Sequence, residues 1–189
     1  NAMSEFAGRF PEIEALAPPE RPDFTFPRLF GAIAAAPMLT DLMPIADEWS
    51  PALVVSDAAE FAGHIVAAQL GVPSVTHSFG ALLPPERTAA AGEQVAALWS
   101  SHGLPPRPYG GSYDHLYLDI YPPSLQPAVR PHVSATQPLR PGTFATAGDE
   151  QLPAWVTEKS EIPLVYVTLG TVFASDAVLT TLLEIHTRP

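Results

Sequence analysis

The residues of this sequence best suited to chemistry follow directly after two short apolar runs. Asp57 comes after the run Ala52–Ser56, and the segment His77–Ser78–Phe79–Gly80 comes after the run Val72–Thr76. A carboxylate can orient a catalytic imidazole or contact a substrate, and an imidazole can move protons near neutral pH. Asp57 also has a structural interpretation, as the N-cap of a helix in which Glu60 completes a capping box. The two roles are compatible, because a carboxylate has two oxygens.

Other chemical motifs are weak or missing in this sequence. The histidines do not occur at metal-ligand spacing, so we predict no metal site, and His64 is expected to be a core residue of a helix. Ser78 lacks the G-x-S-x-G context of a hydrolase nucleophile, and neither a dinucleotide fingerprint nor a P-loop is present. Gly170–Thr171 follows an apolar run and is a weak candidate for a phosphate-contacting turn.

The elements that position Asp57 and the His77 segment form a strand–helix–strand unit. The Val-rich run Ala52–Ser56 predicts a strand buried on both faces, Gly71 is expected to end the helix at positive φ, and Val72–Thr76 is the next strand. A βαβ unit implies a parallel sheet. In open parallel sheets ligands bind beyond the carboxyl ends of the strands, which is where Asp57 and His77 are expected.

The remaining chain alternates between helical patterns and proline-rich connections. Residues 4–27 predict a loop-rich arm. Residues 28–49 predict two helical pieces, Arg28–Ala36 and a second one capped by Thr40, and Pro37 and Pro44 predict a break or kink. Later elements are expected as follows: a helix at Glu86–Ser101, a loop with a flexible Gly110–Gly111 pair, a strand at Leu116–Tyr121, a linker at 127–150, one helical turn at Leu152–Thr157, a strand at Pro163–Gly170 and a helix at Ala177–Ile185.

Composition narrows the class of protein. The chain has 189 residues, a formal net charge of −11 and no cysteine. The acidic charge argues against a nucleic-acid partner, and the lack of cysteine excludes disulfides and thiolate chemistry. The longest apolar run, Leu29–Leu39, contains Pro37 and is short for a membrane span, which needs about 20 residues. We therefore expect a cytoplasmic protein without a membrane span.

Several stretches together resemble the GT-B glycosyltransferases of natural-product biosynthesis, of the actinomycete type. They are PALVVSDAAEFAGHIVAAQLGVPSVTHSFG, RPYGGSYDHLYLDIYPPSLQP, LPAWV and PLVYVTLGTVF, in that order. The resemblance implies two Rossmann-like domains that face each other across a cleft, an acceptor in the first and a nucleotide-sugar donor in the second. It also implies an inverting displacement in which a His base is paired with an Asp, and it implies no metal or other cofactor.

The resemblance assigns roles to particular residues. Asp57 matches the carboxylate that orients the catalytic His, and His77, Ser78, Phe79 and Gly80 match a loop that lines the acceptor pocket. Gly170 and Thr171 match the turn that contacts the donor phosphates. The implied domains are a partial acceptor-binding N-terminal domain at 3–150, and a linker with the first strand and helix of the C-terminal domain at 151–189.

Departures from the family pattern lead to a further expectation. The glycine-rich segment with the catalytic His and the C-terminal His–Gly–Gly segment are both absent from the sequence, so we expect a chain truncated at both ends and inactive by itself. The alternative is a non-catalytic small-molecule-binding or scaffold protein, or a pseudogene product. A homodimer formed through an open sheet edge or the C-terminal helix is also expected.

Overall fold

The computed structural model describes residues 2–142, 154–157, 178, 180 and 181. The chain divides into two compact units, Asn1–Thr143 and Phe144–Pro189. In the second unit the described residues form helix α6, Ala154–Thr157, as the sequence predicted for this turn, and Val178, Thr180 and Thr181 are helical. The predicted strand Pro163–Gly170 lies outside the described residues, and the domain boundary at residue 150 stays a prediction.

The first unit begins with helices, so the expected loop-rich arm at residues 4–27 is wrong. Helix α1 spans Ala2–Arg9, a 3₁₀ helix spans Pro11–Ala15, and helix α2 spans Arg21–Phe26. These short elements are held by an aromatic cluster, in which the ring of Phe6 lies 5.3 Å from that of Phe10 and 6.4 Å from that of Phe24. Local propensity is weak here, and the burial of aromatic rings decides the structure.

Helical structure runs without interruption from Arg21 to Trp49. Helix α2 continues into a π-helical segment, Pro27–Ala34, and then into helix α3, Ala35–Trp49. The helix is continuous through Pro37 and Pro44, so the predicted division into two helical pieces is wrong. A proline inside a helix costs about 3 kcal/mol, but the helix buries Phe26, Leu39 and Ala46 in the main core, and that burial outweighs the local cost.

This long helical segment has the length and apolar composition of a membrane span, with a mean hydropathy of 1.6 over its most apolar window. The sequence was expected to lack a membrane span because its longest apolar run is short and contains Pro37. The helix continues through Pro37, so that argument does not hold. In the structure the segment packs against other helices of the first unit, and Ile33 and Leu39 are buried there. Core helices of globular proteins have the same composition, so this feature by itself does not place the chain in a membrane.

The first unit contains a parallel sheet, as predicted, and its fourth strand lies in the segment 127–150 that was expected to be a linker. Its strands are β1 Val54–Asp57, β2 Ser74–His77, β3 Leu116–Asp119 and β4 Thr136–Pro138, in the spatial order β1-β2-β3-β4. Helix α4, Ala62–Leu70, connects β1 to β2, and Gly71 ends it with φ of 69°, as expected. Together these elements give an α/β fold with a Rossmann-like parallel sheet.

Strand β1 differs from its prediction as a strand buried on both faces. Among the described strands it pairs with β2 alone, and Val55 is 55% exposed. The apolar run was the correct signal for a strand but does not reveal its place in the sheet, because an edge strand and a central strand of a parallel sheet can have the same composition.

The main core lies among the long helical segment and helices α4 and α5, of which α5 spans Pro85–Ser101, and Val54 of β1 packs against it. Phe61 and Ile65 are fully buried there, as are Val95 and Trp99 of α5. Gly110 and Gly111, expected to be flexible, form a buried turn at positive φ that Phe61 and Trp99 contact closely. Both residues adopt positive φ, which favours glycine, and a Cβ on Gly110 would also lie 2.7 Å from the Phe61 ring.

Candidate functional site

Asp57 and His77 lie side by side at the carboxyl ends of two neighbouring strands. The parallel register of β1 and β2 pairs Asp57 with His77, immediately after the pair Ser56 and Thr76. Neighbouring strands lie about 4.8 Å apart, and paired residues point to the same face. Two titratable side chains are thus brought together at the edge of the sheet where ligands bind in this class of fold.

The backbone around Asp57 differs from the predicted capping box. The Asp57 carboxylate accepts a hydrogen bond from the Ala59 N–H at 2.6 Å, which forms a turn before the helix rather than a cap on it. Helix α4 begins at Ala62, and the Glu60 carboxylate accepts from the N–H groups of Ala62 and Gly63 at 2.6 and 2.8 Å. Glu60 therefore binds the helix start, and one oxygen of Asp57 remains available to a ligand.

A small cavity of about 220 Å³ opens beside Asp57. Its walls are apolar, from Phe30, Ala34 and Met38 of the long helix, and Asp57 and Glu60 supply its carboxylates. An apolar surround strengthens the interaction of a carboxylate with any donor or imidazolium that enters, because water screens the pair less. The arrangement suits a carboxylate that holds another group in place.

The loop after β2 has one structural and two surface positions. Ser78 is buried, its N–H donates to Leu118 O at 2.9 Å, and its hydroxyl accepts from the Ile120 N–H at 2.9 Å. These bonds extend the contact between β2 and β3. Phe79 is exposed, and open space surrounds the Cα of Gly80. The structure thus leaves His77, Phe79 and Gly80 accessible and ties Ser78 into the sheet; their roles toward an acceptor stay predictions.

His64 lies in the core of the first unit, as the sequence predicted, and not in this site. Its Nε2 is 3.4 Å from Thr76 Oγ1, and that hydroxyl donates to Ser112 O at 2.6 Å, which leaves the imidazole as the donor. Its Nδ1 is buried without a hydrogen-bond partner among the described residues. Burial, with a smaller contribution from nearby His115, lowers the pKa of His64 from 6.5 to about 4.

Gly170 and Thr171 lie outside the described residues, so their role as a phosphate turn stays a prediction. Within the described part of the chain, no group of three or more His, Asp or Glu side chains is arranged to hold a metal ion.

Sequence reasoning missed a second and larger cavity, of about 660 Å³, between the start of α5 and residues 127–132. It also missed the network beneath it, where Asp119 and Arg130 form an ion pair at 2.8 Å. Residues 127–150 were expected to be a linker because they are rich in proline. The alternating run that contains Asp119 was the one local signal, since an acidic residue in a buried strand needs a partner.

The parallel sheet, with helices packed against it and a carboxylate and an imidazole at its carboxyl edge, is that of a Rossmann-like domain. Residues 25–170 match the family described as "Erythromycin biosynthesis protein CIII-like, N-terminal domain". The chain belongs to this family, and the expected GT-B glycosyltransferase resemblance is confirmed.

Named relatives agree with this membership. The chain is 31% identical over 146 residues to the L-demethylnoviosyl transferase of Streptomyces niveus, and this match covers 74% of the chain and 35% of that protein. It is 27% identical over 164 residues to the elloramycin glycosyltransferase ElmGT of Streptomyces olivaceus, covering 78% of the chain and 41% of that protein. The chain thus spans about two fifths or less of the length of these relatives.

A solved structure supports the same conclusion for the fold. The crystal structure of SsfS6, a glycosyltransferase of Streptomyces sp. SF2575, superposes with a TM-score of 0.54 at 26% identity, covering 76% of this chain and 36% of that one. The same enzyme in complex with thymidine diphosphate gives a TM-score of 0.51 at 25% identity, with 75% and 35% covered.

Proposed function

We propose that this chain supplies the acceptor side of a glycosyltransferase that moves a sugar from a nucleotide-sugar donor to a hydroxyl group of a small natural product. The observation that carries the proposal is the pairing of Asp57 with His77 at the carboxyl edge of the sheet, in a chain of this family. The apolar cavity beside Asp57 and the accessible loop after β2 are compatible with an uncharged acceptor.

Asp57 is proposed as the carboxylate that orients the base His of the family and stabilises its imidazolium. That base is not His77, which is proposed to line the acceptor pocket, and the segment that carries it is absent from this sequence. In the reaction, the acceptor hydroxyl oxygen forms a bond to the anomeric carbon while its proton passes to the imidazole, and the bond to the nucleoside diphosphate breaks. The free oxygen of Asp57 would accept the second N–H of that imidazole. In the described residues its carboxylate binds the Ala59 N–H, which fixes its orientation before any ligand arrives.

For the donor, Gly170 and Thr171 are proposed as the turn that contacts the diphosphate. A glycine lets backbone N–H groups approach a phosphate, and a threonine hydroxyl can donate a hydrogen bond to it. The thymidine diphosphate bound to SsfS6 makes a thymidine-linked sugar a reasonable donor to try first. No metal is required in this proposal, and the protein is proposed to work in the cytoplasm.

The 189 residues by themselves are proposed to bind an acceptor without transferring sugar to it, because the sequence contains no His–Gly–Gly segment for the diphosphate. The test is nuclear magnetic resonance of the ¹⁵N-labelled chain, titrated with hydroxylated acceptors. We expect amide shifts at Asp57 and at residues 77–80, and no glycoside when a nucleotide sugar is added. Glycoside above the protein-free background would contradict the inactivity, and shifts that leave Asp57 and residues 77–80 untouched would contradict the site.

A second candidate is a scaffold protein that assembles through β1. Among the described strands β1 has one paired edge, and the side chains of Val55 and of the preceding Leu53 are exposed. Such an edge accepts a strand from a second copy. Light scattering at micromolar concentration is expected to show a dimer that Val55→Lys dissociates, because an edge lysine opposes pairing. A monomer under these conditions would refute the candidate.

A further inference from the structure

A third cavity of the first unit lies at the amino-terminal edge of the sheet, opposite the edge that carries Asp57 and His77. This amino-edge cavity measures about 340 Å³, at the lower end of the usual range of about 300–1,000 Å³ for small-molecule sites. Its walls come from the end of α4, from Ser74 at the start of β2, from the chain beyond α5 and from the residues just before β3. The proposed function uses no residue of this edge.

Two opposite charges stand at the rim of the amino-edge cavity. Arg107 Nε lies 3.7 Å from Asp114 Oδ2, and the two side chains are 51% and 28% exposed. This distance is too long for a hydrogen bond, so each partner keeps capacity to bind a ligand. Burial raises the pKa of Asp114, and the nearby Arg107 and His115 oppose this shift without cancelling it. The carboxylate is therefore incompletely compensated, and a further cation beside it would stabilise its charged form.

Two buried nitrogen atoms belong to residues of the inner wall. The Nε1 of Trp99 and the Nδ1 of His64 have no hydrogen-bond partner among the described residues. Both side chains lie close to Gly111, where a Cβ would be 3.1 Å from His64 Cβ and 3.1 Å from Trp99 Cζ2. The indole nitrogen can only donate, and the Nδ1 of His64 accepts because its Nε2 carries the proton toward Thr76 Oγ1. Buried polar atoms without partners destabilise a fold, so a ligand that satisfies them binds more tightly.

The remaining lining supplies one more donor and an apolar surface. His115 Nδ1 accepts from the Ser74 N–H at 3.4 Å, so in the neutral imidazole the proton is on Nε2 and can be donated to a ligand. The other walls of the cavity include apolar side chains, those of Ala67, Ala68, Val72, Pro73, Leu104 and Pro105. The cavity thus combines polar groups of both kinds with an apolar surface.

The arrangement of charges selects for a ligand that carries both signs. A simple anion would pair with Arg107 but meet the Asp114 carboxylate and the lone pair of His64. A simple cation would pair with Asp114 but meet the Arg107 guanidinium and the Trp99 N–H. An α-amino acid carries an ammonium and a carboxylate on one carbon, so it can face both members of the loose ion pair at once.

We infer that the amino-edge cavity binds a zwitterionic α-amino acid with an apolar side chain. The carboxylate pairs with Arg107 and the ammonium with Asp114. The nitrogen atoms of the inner wall offer one further donor and one further acceptor to the same two groups, and the apolar wall receives the side chain. The inference goes beyond the proposed function, because binding at this edge requires neither an acceptor nor a sugar donor.

The test uses L-leucine as the probe, with the complete 189-residue chain and no acceptor or nucleotide sugar. Calorimetry gives the affinity, and nuclear magnetic resonance of the ¹⁵N-labelled chain locates the site. We expect saturable binding of one leucine per chain, with amide shifts at Ser74 and at residues 114–115 and none at Asp57. Two analogues each lack one charge: 3-methylbutylamine has no carboxylate, and 4-methylpentanoate has no ammonium. Each should bind at least tenfold more weakly than leucine.

Substitutions at the rim test which charge pairs with which group. Asp114→Asn should weaken leucine binding at least tenfold but tighten binding of 4-methylpentanoate, because it removes a repulsive charge. Arg107→Gln should weaken leucine binding similarly but tighten binding of 3-methylbutylamine. The matched controls are Asp41→Asn and Arg140→Gln, which make the same charge changes at exposed positions that do not line the cavity. Both should bind all three probes like the wild type.

The inference is overturned if leucine binding does not saturate up to the solubility of the amino acid, or if it shifts residues 77–80 instead of residues 114–115. Equal binding of leucine and its two analogues would overturn the requirement for both charges. Equal effects of the rim substitutions and their controls would overturn the assignment to this cavity. Failure of sugar transfer affects none of these readings.

Discussion

The buried imidazole of His64 predicts how the stability of the first unit depends on pH. His64 is 2% exposed, and burial lowers the pKa of its imidazole to about 4 from an ordinary 6.5. In the unfolded chain the ring therefore takes up a proton at a pH where the folded chain still excludes it. The contribution of this group is complete above its unfolded pKa, and stability is lost as the pH falls from about 6.5 towards about 4.

The size of the effect follows from the difference between the two pKa values. Each unit corresponds to about 1.4 kcal/mol, so the full loss is about 3 kcal/mol, and about 2 kcal/mol of it falls between pH ~7.5 and pH ~5. The assay is urea unfolding of the chain across this pH range, followed by tryptophan fluorescence. His64→Gln keeps a neutral group that can reach the Thr76 hydroxyl, and we expect its stability to vary about 2 kcal/mol less over the same range.

Other groups also contribute to the pH dependence of stability, and their contributions cancel when the His64→Gln variant is compared with the wild type. The pKa of His132 is also lowered by burial, so part of the slope remains in the His64→Gln variant. If His64→Gln and wild type show the same slope between pH ~7.5 and pH ~5, the argument from burial is wrong.

Three further predictions concern single contacts, each measured by urea unfolding. Gly92→Ala should destabilise the chain by about 2–3 kcal/mol, since a Cβ there would lie 2.5 Å from Gly110 N. The control Gly8→Ala, in open space on α1, should stabilise the chain by up to about 1 kcal/mol. Similar values for the two variants would contradict the close approach of α5 to Gly110. Asp119→Asn should lower the free energy of unfolding by about 2 kcal/mol at neutral pH. Burial raises the pKa of this carboxyl, but hydrogen bonds from Arg130, Gln126 and a backbone N–H outweigh burial and hold the pKa low. The loss of stability should therefore shrink as the pH falls through that low pKa, and a loss independent of pH would refute the ionic role. Glu60→Ala should cost about 1 kcal/mol by removing the acceptor at the start of α4, and a neutral result would show that the backbone needs no cap there.

Local patterns were reliable where burial and backbone chemistry pointed the same way. The run Val72–Thr76 lies within a strand–helix–strand unit, and Gly71 does end its helix at positive φ. They failed at residues 4–27 and at Pro37, because neither weak periodicity nor a single proline reveals how much apolar surface a segment will bury against the rest of the chain. The predicted N-cap at Asp57 was wrong for a related reason. Helix α4 begins only at Ala62, after a turn, so the carboxylate of Glu60 and not that of Asp57 reaches the first N–H groups of the helix.

The sequence by itself determined the class of fold, its parallel sheet and the edge at which Asp57 and His77 lie, because strand polarity and the order of elements follow from local patterns along the chain. Tertiary structure decided everything that depends on residues distant in sequence. The register that pairs Asp57 with His77, the anchoring of Gln126 and Arg130 on Asp119, and the burial of Gly110 against Phe61 are of this kind. The larger cavity exists because those long-range bonds hold a proline-rich connection against the start of α5, and no pattern within that connection encodes the wall it faces.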